Sequence, residues 1–463
     1  MCKRLLLFIS ILPPIAGAGC HPRPMSASRN VEAQVTAVAS VPAAVSEVPL
    51  LQVSSPQEAP AIGAAPSLKE LWDLALKCNP LLREAACDVE AARGQWLQAS
   101  KYLNPSLVYQ ESKLGDSRNE AGALSVGLQQ EIITARKRQW DMAVAAGSTN
   151  TAWFALLVRK FDVLTRIRRA YYDYSAVAYI VQVNDEVVAT LAQDTEIIRR
   201  QVEEVQSRPH TDLVRIQALL EDAKVGQIRS RINLKAAWEQ LAAEVGAAEL
   251  AQPQSPGEIP TQLPIWHHEA VFQRVLAASS ELRQLSMQVE RARALVARAE
   301  AAAVPNVTVG GGYTQDFTDG LPGGGIVSVQ LPLPVYDRRQ GQIYETQARL
   351  VQAQAAIRSA ALRLERDTAD ALARYQGAYR QQEQLINEVL PKLQQGLDEV
   401  RKGYEAGAAQ ITFADVLLSE QNLNAARLLL ANTRRELWRA IADLQGLMQL
   451  DLDEDLEPPG PPN

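Results

Sequence analysis

The sequence has little that a catalytic or nucleic-acid-binding protein needs. Only 5% of its 463 residues are aromatic, and its net charge of −6 is a poor match for nucleic acid. There is no glycine-rich phosphate loop, no His-Glu-x-x-His motif and no nucleophile–base pair, so the sequence predicts neither an enzyme nor a cofactor site. Alanine, leucine, glutamine, glutamate and arginine dominate instead, a composition that favours long helices.

Cysteine is also scarce, and its positions exclude a disulfide. Cys78 and Cys87 lie nine residues apart on a predicted helix. That spacing places them on opposite helix faces and roughly 13 Å apart, which a disulfide cannot span. We therefore expect two thiols that pack against neighbouring helices.

The N-terminus is typical of an export signal. An apolar stretch follows the basic pair Lys3-Arg4, and small residues then precede Cys20. This pattern resembles a bacterial lipoprotein acylation site, although ordinary cleavage after Ala18 is an alternative. We predict a signal peptide over residues 1–19 and lipidation of Cys20. No later stretch holds 18 uninterrupted apolar residues, so no transmembrane helix is predicted.

Composition also marks the two ends of the ordered region. Residues 20–66 are rich in Pro, Ala, Val and Ser, which predicts a lipid-anchored flexible tether. Order should begin at Ser67, which forms a capping-box pattern with Glu70. Residues 450–463 are acidic and proline-rich, so we predict a flexible tail.

Between these ends the sequence is a duplication with an offset of about two hundred residues. Each copy predicts a helix, two short strands, a very long helix, a turn and a return helix. We place the first repeat over residues 67–247, a linker over 248–267 and the second repeat over 268–449. The pairs that recur are Pro105 and Pro305, Trp238 and Trp438, and Gly246 and Gly446.

Paired strand patterns occupy matching places in the two copies. They lie around residues 106–110 and from Leu124 in the first copy, and around residues 307–313 and 327–333 in the second. The segment from Leu124 and the segment over 327–333 alternate between apolar and polar residues. Such alternation suits a half-wet sheet, and equally a barrel with lipid outside and a watery lumen.

The long helices carry heptad seams, which predict coiled-coil packing. Pro391 interrupts the second seam and predicts a local kink. The seam positions are Val188, Leu191, Thr195, Ile198, Val202 and Val205, and then Ile386, Leu390, Leu393, Leu397, Val400 and Tyr404.

Helix lengths predict two rods of equal length in each repeat. The first long helix should run from about residue 136 to 205, roughly 105 Å. The shorter helices, about 67–102 and 212–247, span roughly 108 Å when stacked end to end. We expect their junction to lie level with the point where the long helix meets the strands.

Five short motifs occur in a fixed order along this framework. They are Asn79-Pro80, Asn104-Pro105, Lys137-Arg138, Arg169–Asp173 and Tyr404–Gly407. In order and spacing, residues 67–448 resemble the outer membrane efflux protein family, the TolC-like ducts. The segment Gln330–Gly341 resembles the CzcC-like heavy-metal-efflux branch.

The resemblance implies a fold, a location and partners. The fold would be mainly α with a small transmembrane β-barrel portion, in which a homotrimer supplies twelve strands to the outer membrane and its helices form a periplasmic tunnel. Four strands cannot close a membrane barrel alone, which agrees with a trimer. The duct would passively conduct heavy-metal cations from a periplasmic adaptor (a membrane fusion protein) and a proton-driven inner membrane pump.

Two alternatives remain open at this stage. The duct could export drugs or other organic solutes, because the pump usually selects the cargo. The chain could also be a periplasmic coiled-coil scaffold without a pore, although the matching strand pairs count against that interpretation.

Asp212 and Asp415 are the candidate pore or gate residues. The resemblance places Asp415 at a gate position of the family, while Leu418 stands at its second acidic position. In a trimer each aspartate would form a ring of three carboxylates that could set cation preference. The simpler interpretation is a helix cap or first-turn charge, with Thr211-Asp212 and Thr412 as cap types.

The turns at the far ends of the rods are the candidate adaptor contacts, because rods of equal length end at the same height. Their residue types also suit an ordinary turn. The first turn has Gln206 where the family usually has glycine. The candidate residues are Ser207, Arg208, Pro209, His210, Gly407, Ala408, Ala409 and Gln410.

His267-His268 is the pattern closest to a metal motif. Adjacent helical residues point about 100° apart, and no cysteine or carboxylate lies at ligand spacing. We therefore predict no metal site and a polar start to the following helix.

Overall fold

The computed structural model describes residues 65–112, 122–203, 209–253, 263–264, 266–317, 322–406 and 411–451. The predicted signal peptide, Cys20 and nearly all of the tether lie outside the described residues, as does the tail after Asp451. The described chain begins with the predicted capping box, in which Ser67 and Glu70 each accept from the other's backbone N–H.

The described residues form the predicted duplicated order of helices and strands. The first copy comprises α1 (Leu68–Cys78), α2 (Pro80–Ala99), β1 (Ser106–Ser112), β2 (Ala123–Ile132), α3 (Lys137–Glu203) and α4 (His210–Val245). The second comprises α5 (His268–Ala278), α6 (Ser280–Ala302), β3 (Val307–Asp316), β4 (Gly324–Gln330), α7 (Gln340–Gln384), a π-helical segment (Leu385–Val389), α8 (Leu390–Glu405) and α9 (Phe413–Leu447).

The predicted continuous helix over 67–102 is wrong, because the chain breaks at Asn79. Pro80 disfavours helical geometry in the residue before it, and Asn79 is extended. Its side chain caps the next helix by accepting the N–H of Leu81 at 2.9 Å. Cys78 and Cys87 therefore belong to different helices, and both thiols are free and exposed rather than packed.

The break at Asn79 is where two helices join into one rod. α4 ends at Gly246, whose φ of 88° turns the chain away beside Asn79. The Asn79 amide donates to the carbonyl of Glu244 at 2.7 Å. α2 and α4 both pack along α3 and meet at this point.

The second copy repeats this junction with different residues. The hydroxyl of Ser280 lies 2.7 Å from Oε1 of Gln449, which joins the start of α6 to the end of α9.

The junctions lie halfway along α3, not where α3 meets the strands as predicted. Arg166 reaches Glu244 at 3.6 Å, and Thr165 lies against Gly446. α3 has 67 residues and so is roughly 100 Å long. The prediction overlooked the helix lengths themselves, because two stacked helices of equal length along a rod meet near its middle.

The main hydrophobic core surrounds these junctions and unites the two copies. Tyr172 stacks on Trp438 with ring centroids 4.8 Å apart, and Tyr174 meets Trp238 at 5.3 Å. The predicted linker contributes Leu250 and Trp266 to this core, and Leu450 of the predicted flexible tail is buried there as well. The ordered unit therefore extends past residue 449.

The helix around Pro391 is interrupted, as its sequence predicts. The chain passes through the π-helical segment before resuming as α8. The wider turn shifts the register, so Ile386 is exposed and leaves the predicted seam. Leu397 is buried, and Leu390, Leu393, Val400 and Tyr404 pack against its cluster as predicted.

The strands form one antiparallel sheet in the order β1-β2-β3-β4. The central pair β2–β3 joins the two copies, with Val126 opposite Tyr313. β4 ends at Gln330, before the predicted Leu331 and Leu333, because Pro332 and Pro334 cannot donate to the ladder.

Candidate functional site

One face of the sheet is apolar and exposed. Residues directly opposite each other on paired strands point to the same side, so the register defines the faces. Leu124 on this face is half-buried, and eight further apolar side chains are solvent-exposed, up to 80% for Val327. They are Leu107, Tyr109, Val126, Leu128, Val309, Tyr313, Val327 and Val329.

The other face is mostly small and polar, with Val108 and Ile326 on its two outer strands as exposed apolar members. Ser125 and Thr314 share a hydrogen bond of 2.8 Å across the central pair. Gly127 lies opposite Gly312, where an added Cβ would come within 2.7 Å of the Gly127 Cα. The sheet therefore has the apolar-and-polar alternation that the sequence predicts, and its polar face suits water.

The two outer strands have open edges. In the described part of the chain β1 pairs with β2 alone and β4 with β3 alone. Their outward N–H and C=O groups are a template for pairing with another strand.

A buried lysine fixes the sheet to the long helix. Lys137 is 5% exposed, and its ammonium donates to Oδ1 of Asn306 at 2.5 Å. The hydroxyl of Thr134 donates to the carbonyl of Pro305 at 2.6 Å. Burial, together with the nearby Arg298, lowers the pKa of Lys137. This contact joins the start of α3 to the start of β3.

Two carboxylates, Asp173 on α3 and Asp443 on α9, bind the two copies together near the middle of the rods. Asp173 accepts from Arg435 at 2.9 Å and from Arg439 at 2.6 Å. Asp443, which is buried, pairs with Arg169 and with Arg374. The motif Arg169–Asp173, which the sequence singles out, thus links α3 to α9 of the other copy.

An apolar cluster unites the two tips. Ile198 of α3 and Leu213 of α4 pack with Phe413 and Leu417 of α9. Tyr404 lies against Phe413 with ring centroids 6.0 Å apart. Both return helices therefore begin side by side, which brings the first turns that carry Asp212 and Asp415 to the same end of the molecule.

Asp415 is a capping residue in this structure. It sits in the third position of α9, and Oδ2 accepts from both the backbone N–H and the hydroxyl of Thr412. These bonds lower the pKa of Asp415. Asp212 lies in the first turn of α4, but Pro209 is the N-cap there, so the expected cap role of Thr211 is wrong.

The predicted adaptor contacts are only partly visible. Pro209 and His210 are exposed at the start of α4. Ser207, Arg208, Gly407, Ala408, Ala409 and Gln410 lie outside the described residues. Leu418, three residues past Asp415, is 56% exposed.

Sequence reasoning missed a charged cluster above the tip. Arg401 of α8 donates to Glu420 of α9 at 2.7 Å, and Glu420 is buried. Burial, and secondarily Asp194 of α3, raises the pKa of Glu420. Burial also raises the pKa of Asp194, against the attraction of Arg401. These residues are far apart in sequence, and the local pattern around each one is typical of an exposed charge on a helix.

Within the described ranges, no three His, Cys, Asp or Glu side chains are grouped as metal ligands. His267 is the N-cap of α5 and His268 its first residue. None of the helices in the described part of the chain combines the length and apolarity that crossing a bilayer requires.

The second copy matches a known protein family. Residues 271–448 match the sequence model of the outer membrane efflux protein family. The cobalt-zinc-cadmium resistance protein CzcC of Cupriavidus metallidurans is 22% identical over 362 residues, covering 78% of this chain and 85% of that protein. Outer membrane protein OprJ of Pseudomonas aeruginosa is 25% identical over 374 residues, covering 73% and 75%.

The fold is similar to that of solved channels. The Campylobacter jejuni CmeC outer membrane channel superposes with a TM-score of 0.69 at 14% identity, covering 86% of this chain and 90% of that one. At this identity the likeness concerns the fold, which is that of TolC-like channels.

Proposed function

The chain belongs to the outer membrane efflux protein family and is CzcC-like, and on this basis we propose that it is the export duct of a tripartite heavy-metal efflux system. It lies in the outer membrane and extends into the periplasm. The observation that carries the proposal is the two-faced sheet, apolar on one side and polar on the other, mounted on helices roughly 100 Å long.

The sheet has the dimensions of a membrane barrel wall. β2 and β3 have ten residues each, which matches tilted strands that cross a bilayer. The exposed apolar face would meet lipid, and the face with Ser125 and Thr314 would line a watery lumen. A periplasmic coiled-coil scaffold would leave the apolar face of such a sheet exposed to water.

Closure of the barrel requires further copies of the chain. Open strand edges are not tolerated in the hydrocarbon layer, so β1 of one copy would pair with β4 of the next. Three copies would supply the twelve strands that the family resemblance implies. The helices of the trimer would then enclose a tunnel that continues the lumen into the periplasm.

The tip is where the duct would meet its partners. The apolar cluster of Ile198, Leu213, Phe413 and Leu417 holds the starts of both return helices side by side at the end of the rods. A periplasmic adaptor could engage both turns at once, through Pro209 and His210 and the neighbouring turn residues. The adaptor would connect the duct to a proton-driven inner membrane pump, which supplies the energy.

The gate would lie at the same end. The hydrogen bonds from Thr412 hold the Asp415 carboxylate in place and lower its pKa, so three copies would present fixed, ionised carboxylates around a narrow opening. Asp212 is the second candidate for this ring. Such a ring would favour cations over anions.

Similarity to a cobalt-zinc-cadmium resistance protein supports divalent metal cations as the cargo. The test is deletion of the gene, followed by measurement of cell-associated cobalt, zinc, cadmium and copper after a sub-lethal challenge. Accumulation of one or more metals, reversed by the intact gene, is the expected result. Unchanged levels of all four would contradict metal export and move the cargo to organic solutes.

A further inference from the structure

The segments that connect the two edge strands to the helices both carry exposed tyrosine and aliphatic side chains. Before β1, Tyr102 and Leu103 are exposed, and Tyr102 is 74% exposed. After β4, Leu333, Val335 and Tyr336 are exposed, and Tyr336 is 91% exposed. Both segments lie at the end of the sheet that joins the helices.

Basic residues follow these apolar segments on the helix side. Arg138 stacks on Tyr102 with its guanidinium carbon 4.0 Å from the ring centroid, and it donates to the tyrosine hydroxyl at 2.9 Å. Arg338 and Arg339 come directly after Tyr336 and are exposed. Arg338 donates to the carbonyl of Pro334 at 3.4 Å, which holds its charge beside the apolar segment.

The acidic residues nearby are engaged elsewhere. Asp337 accepts the backbone N–H of Arg339 at 2.8 Å and thereby shapes the turn before α7. Glu131 accepts from the amide of Asn306 at 2.7 Å. Both carboxylates keep their charge, but Lys101, Arg138, Arg338 and Arg339 outnumber them, so the surface at the base of the sheet is net positive.

The order apolar face, tyrosine, then arginine is the order of a membrane–water interface. Tyrosine is enriched at the headgroup level, where its ring is half apolar and its hydroxyl is wet. Long basic side chains extend from apolar surface towards charged headgroups. The same order occurs at both edge strands, which would be neighbours in a closed barrel, so the two halves would join into a ring.

We propose that Tyr102, Arg138, Tyr336, Arg338 and Arg339, together with the exposed Lys101 beside Tyr102, form a collar that binds the phosphates of anionic phospholipids in the periplasmic leaflet. The inference rests on the proposed function, since it needs the sheet to be a barrel in the outer membrane. Lipid is favoured over a protein partner because the collar continues the apolar face. The collar would select lipids by charge and fix the depth of the barrel.

The test uses the full-length protein, extracted as its native assembly and placed in nanodiscs. The discs contain phosphatidylethanolamine alone or with phosphatidylglycerol, and native mass spectrometry measures the phosphatidylglycerol retained. R338Q/R339Q should lower the apparent affinity for phosphatidylglycerol roughly tenfold or more, because it removes two cations that attract the lipid headgroups. R338K/R339K, which keeps the charge, should retain most of it.

The matched control removes two exposed arginines from the helical shaft. R229Q/R380Q makes the same change of charge far from the collar and should bind phosphatidylglycerol like the unmodified protein. Equal loss in both double variants, or no preference for phosphatidylglycerol in the unmodified protein, would overturn the collar. Dissociation of R338Q/R339Q into single chains that still prefer phosphatidylglycerol would also overturn it and assign the arginines to a subunit contact.

If the protein is not an outer membrane duct, the unmodified protein will not enter nanodiscs as an assembly. That outcome is seen before any variant is compared, so it is distinct from failure of the collar.

Discussion

Asp415 closes a capping box with Thr412, in which its carboxylate accepts the Thr412 backbone N–H at 2.8 Å and the hydroxyl at 2.7 Å. Asp415 therefore has a structural role, and these bonds lower the pKa of a carboxylate that is ionised at neutral pH in any case. A capping role and a gate role are compatible, and they make different predictions.

Asp415→Asn should weaken cation selectivity of the channel in planar bilayers, because each trimer loses three negative charges at its narrow end. We expect the preference for potassium over chloride to fall by a factor of roughly two or more. Asp398→Asn makes the same charge change on α8 and is the control. Equal selectivity in the two variants and the unmodified channel would remove the gate role.

The pH dependence of stability should separate Glu420 from an ordinary surface carboxylate. Its folded pKa is raised by burial above the unfolded value, so the folded state holds the proton more tightly. Stability should therefore rise as pH falls through the folded pKa towards the unfolded value of about 4.3. Glu420→Gln should flatten the profile of melting temperature over this window.

Glu388 provides the control of opposite sign. It is exposed and pairs with Lys392 at 2.6 Å, which lowers its pKa. Its contribution is present above the unfolded pKa and is lost as pH falls through the folded one. Glu388→Gln should leave the Glu420-dependent rise intact; a profile flattened equally by both substitutions would contradict the assignment to the buried residue.

Gly246→Ala should destabilise the junction of α2 and α4. The residue has a left-handed φ of 88°, and an added Cβ would come within 2.8 Å of the Asn79 Cα. We expect a loss of about 2 kcal/mol in unfolding free energy, read as a lower melting temperature. Gly94→Ala in α2 meets no atom within 4 Å and should instead gain up to about 1 kcal/mol. A similar response from both would show that the junction is not constrained.

Gly407→Arg should abolish export while leaving the assembly intact, because the first residue of the second turn would carry bulk and charge into the adaptor contact. Gly377→Arg, on an open face of α7, is the control. Metal accumulation and the amount of assembled protein in the outer membrane are measured together. Normal export by Gly407→Arg would remove this turn from the contact.

Local patterns predicted most of the elements because they act over short distances. The Ser67–Glu70 capping box, the alternating strands and the long helix α3 all follow from neighbouring residues. The break at Asn79 could also have been predicted, since Pro80 follows it. Because the residues on both sides favour helix, a continuous helix was predicted instead.

The tertiary contacts could not be predicted from local sequence patterns. The link between Asn79 and Glu244, and the cluster of Asp194, Arg401 and Glu420, join segments that meet only after the rods pack. A charged residue on an amphipathic helix has the same local signal whether it faces water or a neighbouring helix. The level of the junction, in contrast, follows from the lengths of the two stacked helices, which place it near the middle of α3.

The central claim is that several copies close one barrel, and the mass of the intact assembly tests it most directly. The protein should be extracted from outer membranes in mild detergent and weighed by native mass spectrometry. The account predicts three chains in one particle, because four strands with open edges cannot stand alone in lipid. A stable, monodisperse single chain extracted from the membrane would contradict it.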